Sequence, residues 1–364
     1  MKTRAALFRA VGEPLEVVEI ELEDPRADEV VVRMAAIGIC GTDLHQVKGD
    51  FQRPTPMVLG HEGAGVVEAV GDAVTKVRPG DEVVLSWAPS CGTCAGCRRG
   101  RPATCGPLNA AIPKGTLPDG TTRMSYRGET VFRGTATGCL AERVVVSEQV
   151  ALPLGGAMPF DQAALLGCAV LTGVGAVLYA ARVAARSSVL VIGAGGVGQF
   201  VVQGARIAGA ASILVCDPVE ARLEAARRAG ATHVATPEQL RDLVRAELPD
   251  GADYGFDAVG DPATTSTALR FTRDGGTAVM VGLPAQGLRL DIEPFELIRR
   301  EKILTGTLYG SEDPAVSLPA MLEHVRAGRL DLATSIGPSF PLDQVDDAVQ
   351  ASIAGEPGRV LVVP

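Results

Sequence analysis

The ten residues VLVIGAGGVG, Val189 to Gly198, decide how the chain is to be read. Four apolar, mostly β-branched residues predict a buried strand. The glycines that follow, Gly193, Gly195 and Gly198, with Gly196 and Val197 between, form G-x-G-x-x-G, and a helical pattern opens behind them. Each glycine has a physical task. Gly193 permits a tight turn, Gly195 lets the backbone approach a pyrophosphate, and Gly198 allows close helix–strand packing. The free N–H groups of the helix N-terminus then face the phosphate charge. Glycine clusters also mark ordinary turns, so context matters: Asp217 stands nineteen residues beyond Gly198, where the next predicted strand ends. A carboxylate there can accept from ribose hydroxyls and repels a 2′-phosphate, which favours NAD over NADP. Arg222, one helical turn on, reads either as a second ribose contact or as a solvated helix face.

Outward from this motif the chain has two textures. From Ser188 onward strands alternate with helices: Ser188–Ile192, Ser212–Cys216, helical Glu220–Ala229, then strands at Tyr254–Val259 and Thr277–Leu283. That alternation predicts a parallel sheet wound by crossover helices. Before about residue 160 the pattern is short strands, such as Val30–Ala35, Ala64–Val70 and Asp81–Leu85, with turns at Gly71-Asp72 and Pro79-Gly80-Asp81. That is all-β and barrel-like. A helix at Val316–Ala327 and a strand at Arg359–Val363 close the chain.

With 364 residues, two domains are expected. A net charge of −9 speaks against nucleic acid or an anionic membrane as the main partner. The stretch between Asp161 and Arg182 is uncharged and long enough to span a bilayer. Gly167, Gly173 and Gly175 interrupt it, and a buried helix joining two domains is the preferred reading. The first twenty residues lack an apolar run of signal-peptide length, so a cytoplasmic chain with reduced thiols is expected.

The eight cysteines then point to metal before disulfides. Cys91, Cys94, Cys97 and Cys105 give C-x₂-C-x₂-C-x₇-C, four soft thiolates on one short loop. Disulfides or an iron–sulfur cluster compete, but the spacing favours a closed Cys₄ zinc site, structural because no vertex is left for substrate. Cys40, in Cys-Gly-Thr-Asp-Leu-His45, His61, in Gly-His-Glu-Gly, and Cys168 are far apart. Taken singly they read more readily as core thiols and a turn histidine, and nothing in their spacing joins them. Cys139 and Cys216 read as buried thiols.

Together, Cys40–His45, Gly60–Gly65, the four-cysteine loop, Cys168 and the Gly193–Gly198 turn resemble the zinc-containing medium-chain alcohol dehydrogenases over essentially the whole chain. Pro118–Arg127 is similar to a longer linker found in their class III and aryl- or benzyl-alcohol branches. The resemblance implies an α/β protein: a GroES-like β-barrel catalytic domain, residues 1–169 and 310–364, and a Rossmann doubly wound NAD-binding domain, residues 170–309. It implies NAD and two zinc ions per subunit, with Cys40, His61 and Cys168 holding the catalytic one. Glu62 then lies beside the metal, and Asp43 fixes the His61 tautomer. Thr42 contacts the substrate hydroxyl and His45 ends a proton relay through the ribose 2′-hydroxyl. Thr172 lies near the nicotinamide and Arg359 at the pyrophosphate. Phe51, Trp87 and Leu140 line the substrate pocket.

The implied partner is a small alcohol or aldehyde, by preference a primary alcohol with an unsaturated or aromatic group, in a homo-oligomer with a dimer favoured over a tetramer. Competing readings are a thiol-dependent formaldehyde dehydrogenase, a polyol or amino-alcohol dehydrogenase, and, in another class, a zinc-ribbon binding protein. One departure stands out. Many members of this family carry a basic residue directly after the first zinc ligand, and here it is Gly41.

Overall fold

In the computed structural model, which describes residues 1–156 and 158–364, the β-branched runs of the N-terminal half assemble into two sheets. The larger is centred on the ten-residue strand Glu29–Gly38. It pairs antiparallel with Glu62–Val70, Arg143–Ser147 and Arg359–Val363, so the last strand of the chain lies beside one of the first. The smaller sheet is built on the antiparallel pair Lys2–Phe8 and Glu16–Leu22. The Ala5–Ala141 bridge joins the first strand to residues just ahead of Arg143–Ser147, and one apolar core fills the space. Val30, Val31, Val32, Val144, Val145 and Val146 are all buried in it.

The second half forms a six-stranded, wholly parallel sheet. Its spatial order is His233–Ala235, Ser212–Cys216, Ser188–Ile192, Ala252–Asp257, Thr272–Met280, Ile303–Gly306. In sequence rank that is 3-2-1-4-5-6, the doubly wound order of dinucleotide-binding sheets. The strand beginning at Ala252 ends at Asp257, two residues before its expected close. The Asp257 carboxylate takes the N–H groups of Val259 (3.0 Å) and Gly260 (3.3 Å) and turns the chain away.

Chain contacts define two units: Met1–Cys168 with Asp313–Leu318 and Ile336–Pro364, and Ala169–Glu312 with Pro319–Ser335. The stretch expected to return whole to the first domain from residue 310 is therefore shared. Buried Gln203 holds Asp331 from both sides, donating to its carbonyl and accepting from its N–H at 2.8 Å each, and so ties 319–335 to the second unit.

The uncharged segment is the helical run Phe160–Ala180, apolar enough by length and composition to cross a membrane, with 83% of its most apolar window buried in the protein. Its glycines are contact points. A Cβ on Gly173 would stand 2.6 Å from the Val197 carbonyl, and one on Gly167 would stand 2.8 Å from the Leu85 carbonyl. Such close approach to neighbouring backbone is what a core helix needs.

Candidate metal centres and nucleotide site

The loop cysteines meet as their spacing requires. The ligand atoms of Cys91, Cys94, Cys97 and Cys105 lie within 4.8 Å of one another, with Sγ–Sγ distances of 3.5 Å for Cys94–Cys97 and 3.9 Å for Cys91–Cys97. Zinc–sulfur bonds of ~2.3 Å arranged tetrahedrally put sulfurs about 3.8 Å apart, so the cage fits that ion. The backbone prepares it. Cys94 N–H donates to Cys91 Sγ, and the peptide N–H groups of Cys97 and Gly106 pull the Cys94 thiol down to about 6. A thiolate is the form that binds metal.

The second cluster gathers residues from three separated elements. Cys40 ends the approach from the Glu29–Gly38 strand and opens the short helix Gly41–Val47. His61 directly precedes the strand Glu62–Val70. Cys168 comes from a π-turn, Leu166–Val170, within the long helix. Such wide turns re-aim one side chain and recur at functional sites. Donor atoms of Cys40, His61, Glu62 and Cys168 all lie within 4.8 Å of one another, and all four residues are buried.

Burial and mutual contact divide the protons unevenly within this cluster, with Cys168 pushed well up by its hydrogen bond with Cys40 and by burial. A hydrogen bond with Cys168, reinforced by the charges of His61 and Arg359, holds the Cys40 thiol well below its ordinary range. Burial opposes charge on His61, yet the Asp43 carboxylate and the Cys40 sulfur outweigh it and raise the imidazole. Burial pushes Glu62 up to about 7 against the pull of Arg359. Arg359 Nε lies 2.9 Å from Glu62 Oε2, an ion pair not aligned as a hydrogen bond, and Nη1 donates to the Ile39 carbonyl. Its Nη2 is buried with no acceptor among the described residues.

Asp43 organises the surroundings. Its carboxylate takes the N–H of Cys40 at 3.0 Å and of Gly60 at 3.1 Å, and faces His61 Nδ1 at 3.3 Å. The opposite side of Gly60 is gripped too: its carbonyl accepts from the Thr137 hydroxyl (2.8 Å) and the Cys139 N–H (3.1 Å). The wholly buried guanidinium of Arg133 donates to the carbonyls of Thr122, Thr137 and Val145 and so anchors that turn. Sequence reading gave Arg133 and Thr137 no role, since nothing in their spacing ties them to His61.

Thr42 Oγ1 is 4.0 Å from Cys40 Sγ, and His45, three residues on, shares its helix face. Trp87 stands edge-on to His61, ring centroids 6.3 Å apart, and Phe51 packs on His45 at 5.1 Å. Leu140 differs: it is wholly buried in the barrel core beside Gly60 and offers no accessible surface to a pocket.

In the parallel sheet, Gly193 has φ +92° and a Cβ on Gly198 would stand 1.9 Å from the Gly193 carbonyl, so the chain itself demands both glycines. Gly195 is different, because a Cβ there would meet nothing within 4 Å. Its smallness leaves open space at the start of the helix Gly196–Ala208. Asp217 is buried and accepts the N–H of Ala194 (2.8 Å) and of Val219 (2.9 Å), while Arg222 Nη1 lies 3.9 Å from it. Thr172 is also nearly buried in this unit.

Known proteins carry the same plan. The family described as alcohol dehydrogenase GroES-like domain matches residues 26–156, and the zinc-binding dehydrogenase family matches residues 196–326. An S-(hydroxymethyl)glutathione dehydrogenase of Escherichia coli O1:K1 is 36% identical over 368 residues, covering 100% of both chains. This chain belongs to the zinc-containing medium-chain alcohol dehydrogenases. Among solved members of similar shape are an alcohol dehydrogenase zinc-binding domain protein from Burkholderia ambifaria and the benzyl alcohol dehydrogenase of Acinetobacter calcoaceticus. The first is 33% and the second 28% identical, each with a TM-score of 0.94 and covering 100% of this chain and 99% of the other. The α/β class expected from the sequence, a GroES-like domain with a Rossmann sheet, is the fold of this dehydrogenase.

Proposed function

We propose that this dehydrogenase uses zinc and NAD to interconvert a primary alcohol, of preferred aromatic or allylic type, and its aldehyde. The convergence of Cys40, His61 and Cys168, with Glu62 as a fourth donor, carries the reading. Two thiols and an imidazole are the donor set zinc prefers, and three firm ligands leave a vertex for substrate. Zinc held there supplies a Lewis acid that lowers the pKa of an alcohol oxygen and polarises a carbonyl. NAD supplies the hydride acceptor.

The chain's own residues do the rest. Asp43 keeps the His61 Nδ1 proton and so presents Nε2 to the metal. Thr42 takes the proton of the substrate hydroxyl and hands it towards His45, from which it reaches solvent. Glu62, paired with Arg359, would be a further donor to a metal held by these ligands. Gly195 clears the backbone for a pyrophosphate, and the orphaned Nη2 of Arg359 is a donor suited to an anionic oxygen. Asp217 accepts from the adenosine ribose, with Arg222 and Thr172 as further cofactor contacts. Trp87 and Phe51 present flat apolar walls, which favour an unsaturated substrate. The second zinc belongs in the four-cysteine cage, as a structural ion.

The name of the E. coli relative favours one second reading, oxidation of a hydroxymethyl-thiol adduct on the same machinery. Metal analysis is expected to find two zinc ions per chain. Turnover of benzyl alcohol with NAD should exceed that of ethanol and of a secondary alcohol, and NADP should serve poorly. Formaldehyde oxidation that appears only with added glutathione would replace the aryl-alcohol reading with the thiol one. A chain that binds a single zinc and turns over none of these would end both readings.

We also propose a homodimer. The strand Ile303–Gly306 is an open sheet edge, and Phe295 and Ile298 of the helix Pro294–Arg299 that precedes it in sequence are 64% and 77% exposed, apolar surface that a second copy would cover. Sedimentation should give twice the 37.6 kDa chain mass.

A further inference from the structure

The short helix Gly41–Val47 ends in a turn that places an unassigned carboxylate against a candidate relay residue. Gly49, at φ +80°, reverses the chain, and Asp50 returns to His45 twice. Its N–H donates to the His45 carbonyl at 2.9 Å, and its Oδ2 lies 2.7 Å from His45 Nδ1. The Phe51 ring, tilted 39° with its centroid 5.1 Å away, limits rotation of the imidazole. Among the described residues nothing engages Nε2, and the side chain keeps 27% of its surface exposed. The charged groups set around the ring are Asp50 and, across Phe51, Arg53.

An ion pair this exposed adds little to stability. Its consequence is chemical, because a carboxylate at Nδ1 accepts that N–H and leaves the lone pair on Nε2. We infer that Asp50 is a positioning residue for proton release, fixing His45 as the tautomer whose Nε2 accepts the proton leaving the substrate hydroxyl. The inference rests on the proposed relay through Thr42 and His45. The proton arriving at Nε2 makes an imidazolium beside the Asp50 carboxylate. That proton then passes from Nε2 to bulk water, and the neutral Nδ1–H tautomer is restored. Hydride transfer and its electron pair stay with the alcohol and NAD, so the dyad carries only the proton.

The test is a double-mutant cycle on the zinc-loaded enzyme with NAD and benzyl alcohol. His45→Gln should lower kcat/KM by about 10²-fold. Asp50→Ala in the His45 enzyme should lower it about tenfold, the size of one charge-assisted hydrogen bond. In the His45→Gln background the same Asp50→Ala change should cost less than about twofold, since the group it orients is gone. Asp50→Asn, which keeps an acceptor oxygen, should recover part of the loss. A second readout is the 15N spectrum of histidine-labelled enzyme, whose four histidines give four ring systems. His45 should carry its proton on Nδ1, and Asp50→Ala should move it towards Nε2. Equal losses from Asp50→Ala in both backgrounds, or a His45 signal that Asp50→Ala leaves unchanged, would overturn the dyad while leaving the relay. His45→Gln at wild-type activity would overturn the relay and the dyad with it.

Discussion

The two cysteine clusters of this dehydrogenase offer nearly the same chemistry and could hardly be built more differently. One is four residues of a single loop, partly in solvent, its sulfurs gathered by local turns and peptide N–H groups. The other is buried, with ligands 21 and 107 residues apart, and depends on a helix start after one strand, the residue that leads into another, and a π-turn in a core helix. The contrast teaches that a metal cage used as a staple can be local. A cage that works on a substrate needs a desolvated setting, and only long-range packing supplies that. Local spacing makes the first cluster legible and robust; the second inherits its precision from Asp43, Thr137 and the anchored turn around Arg133.

If that division of labour is right, damage to the buried cluster should fall on chemistry. Cys168→Ala should lower kcat/KM at least about 10³-fold, the loss of Lewis-acid stabilisation. One zinc per chain should remain, and thermal unfolding should be little changed. Retention of both metals would contradict the geometry. Damage to the exposed loop should fall on stability instead. Cys105→Ser should cost about 3 kcal/mol of folding free energy. The folded fraction should keep activity within about threefold, because a closed site touches no substrate. A collapse of kcat without a stability change would erase the distinction between the clusters.

The contrast extends to the nucleotide. Asp217, tied to the contiguous glycine motif, should act mainly through its charge. Asp217→Asn removes the charge and keeps only one of the two oxygens that accept from Ala194 and Val219; it should raise the NADP-to-NAD ratio of kcat/KM about tenfold. Full retention of NAD preference would show that something else selects the cofactor. Gly41, beside the scattered cluster, should give the smallest effect. A Cβ there meets nothing within 4 Å, so a side chain can leave the backbone without a clash at its first carbon. Gly41→Arg should tighten NADH by about fivefold, one exposed charge contact, and slow its release. An unchanged dissociation constant in rapid binding measurements would reject the idea that Gly41 loosens the cofactor.

Much of this chain could be read without coordinates. The ranges Ser188–Ile192, Ser212–Cys216, Glu220–Ala229 and Arg359–Val363 agree with the structure to the residue. In these stretches propensity, periodicity and flanking glycine all favour one answer. The Ala252–Asp257 strand lies two residues ahead of the range hydropathy predicts, because the signal that ends it is a carboxylate bonding forward to backbone. Leu140 was assigned to the pocket on resemblance, and packing put it in the core instead. Asp50 escaped notice because only the left-handed turn at Gly49 returns it to His45.

By itself, then, the sequence determined whatever is written over a few consecutive residues: the Gly193–Gly198 turn, the four-cysteine loop, and the change from β to alternating β and α near residue 187. Near neighbours interact however the rest of the chain is folded, so short spacing carries its own geometry. The tertiary structure alone decided which distant groups share a site: that Cys40, His61, Glu62 and Cys168 converge, that Arg359 returns from the last strand to Glu62, and that Thr137 steadies Gly60. Those pairings are fixed by strand register and helix packing between segments well separated in the chain, and no local pattern encodes them.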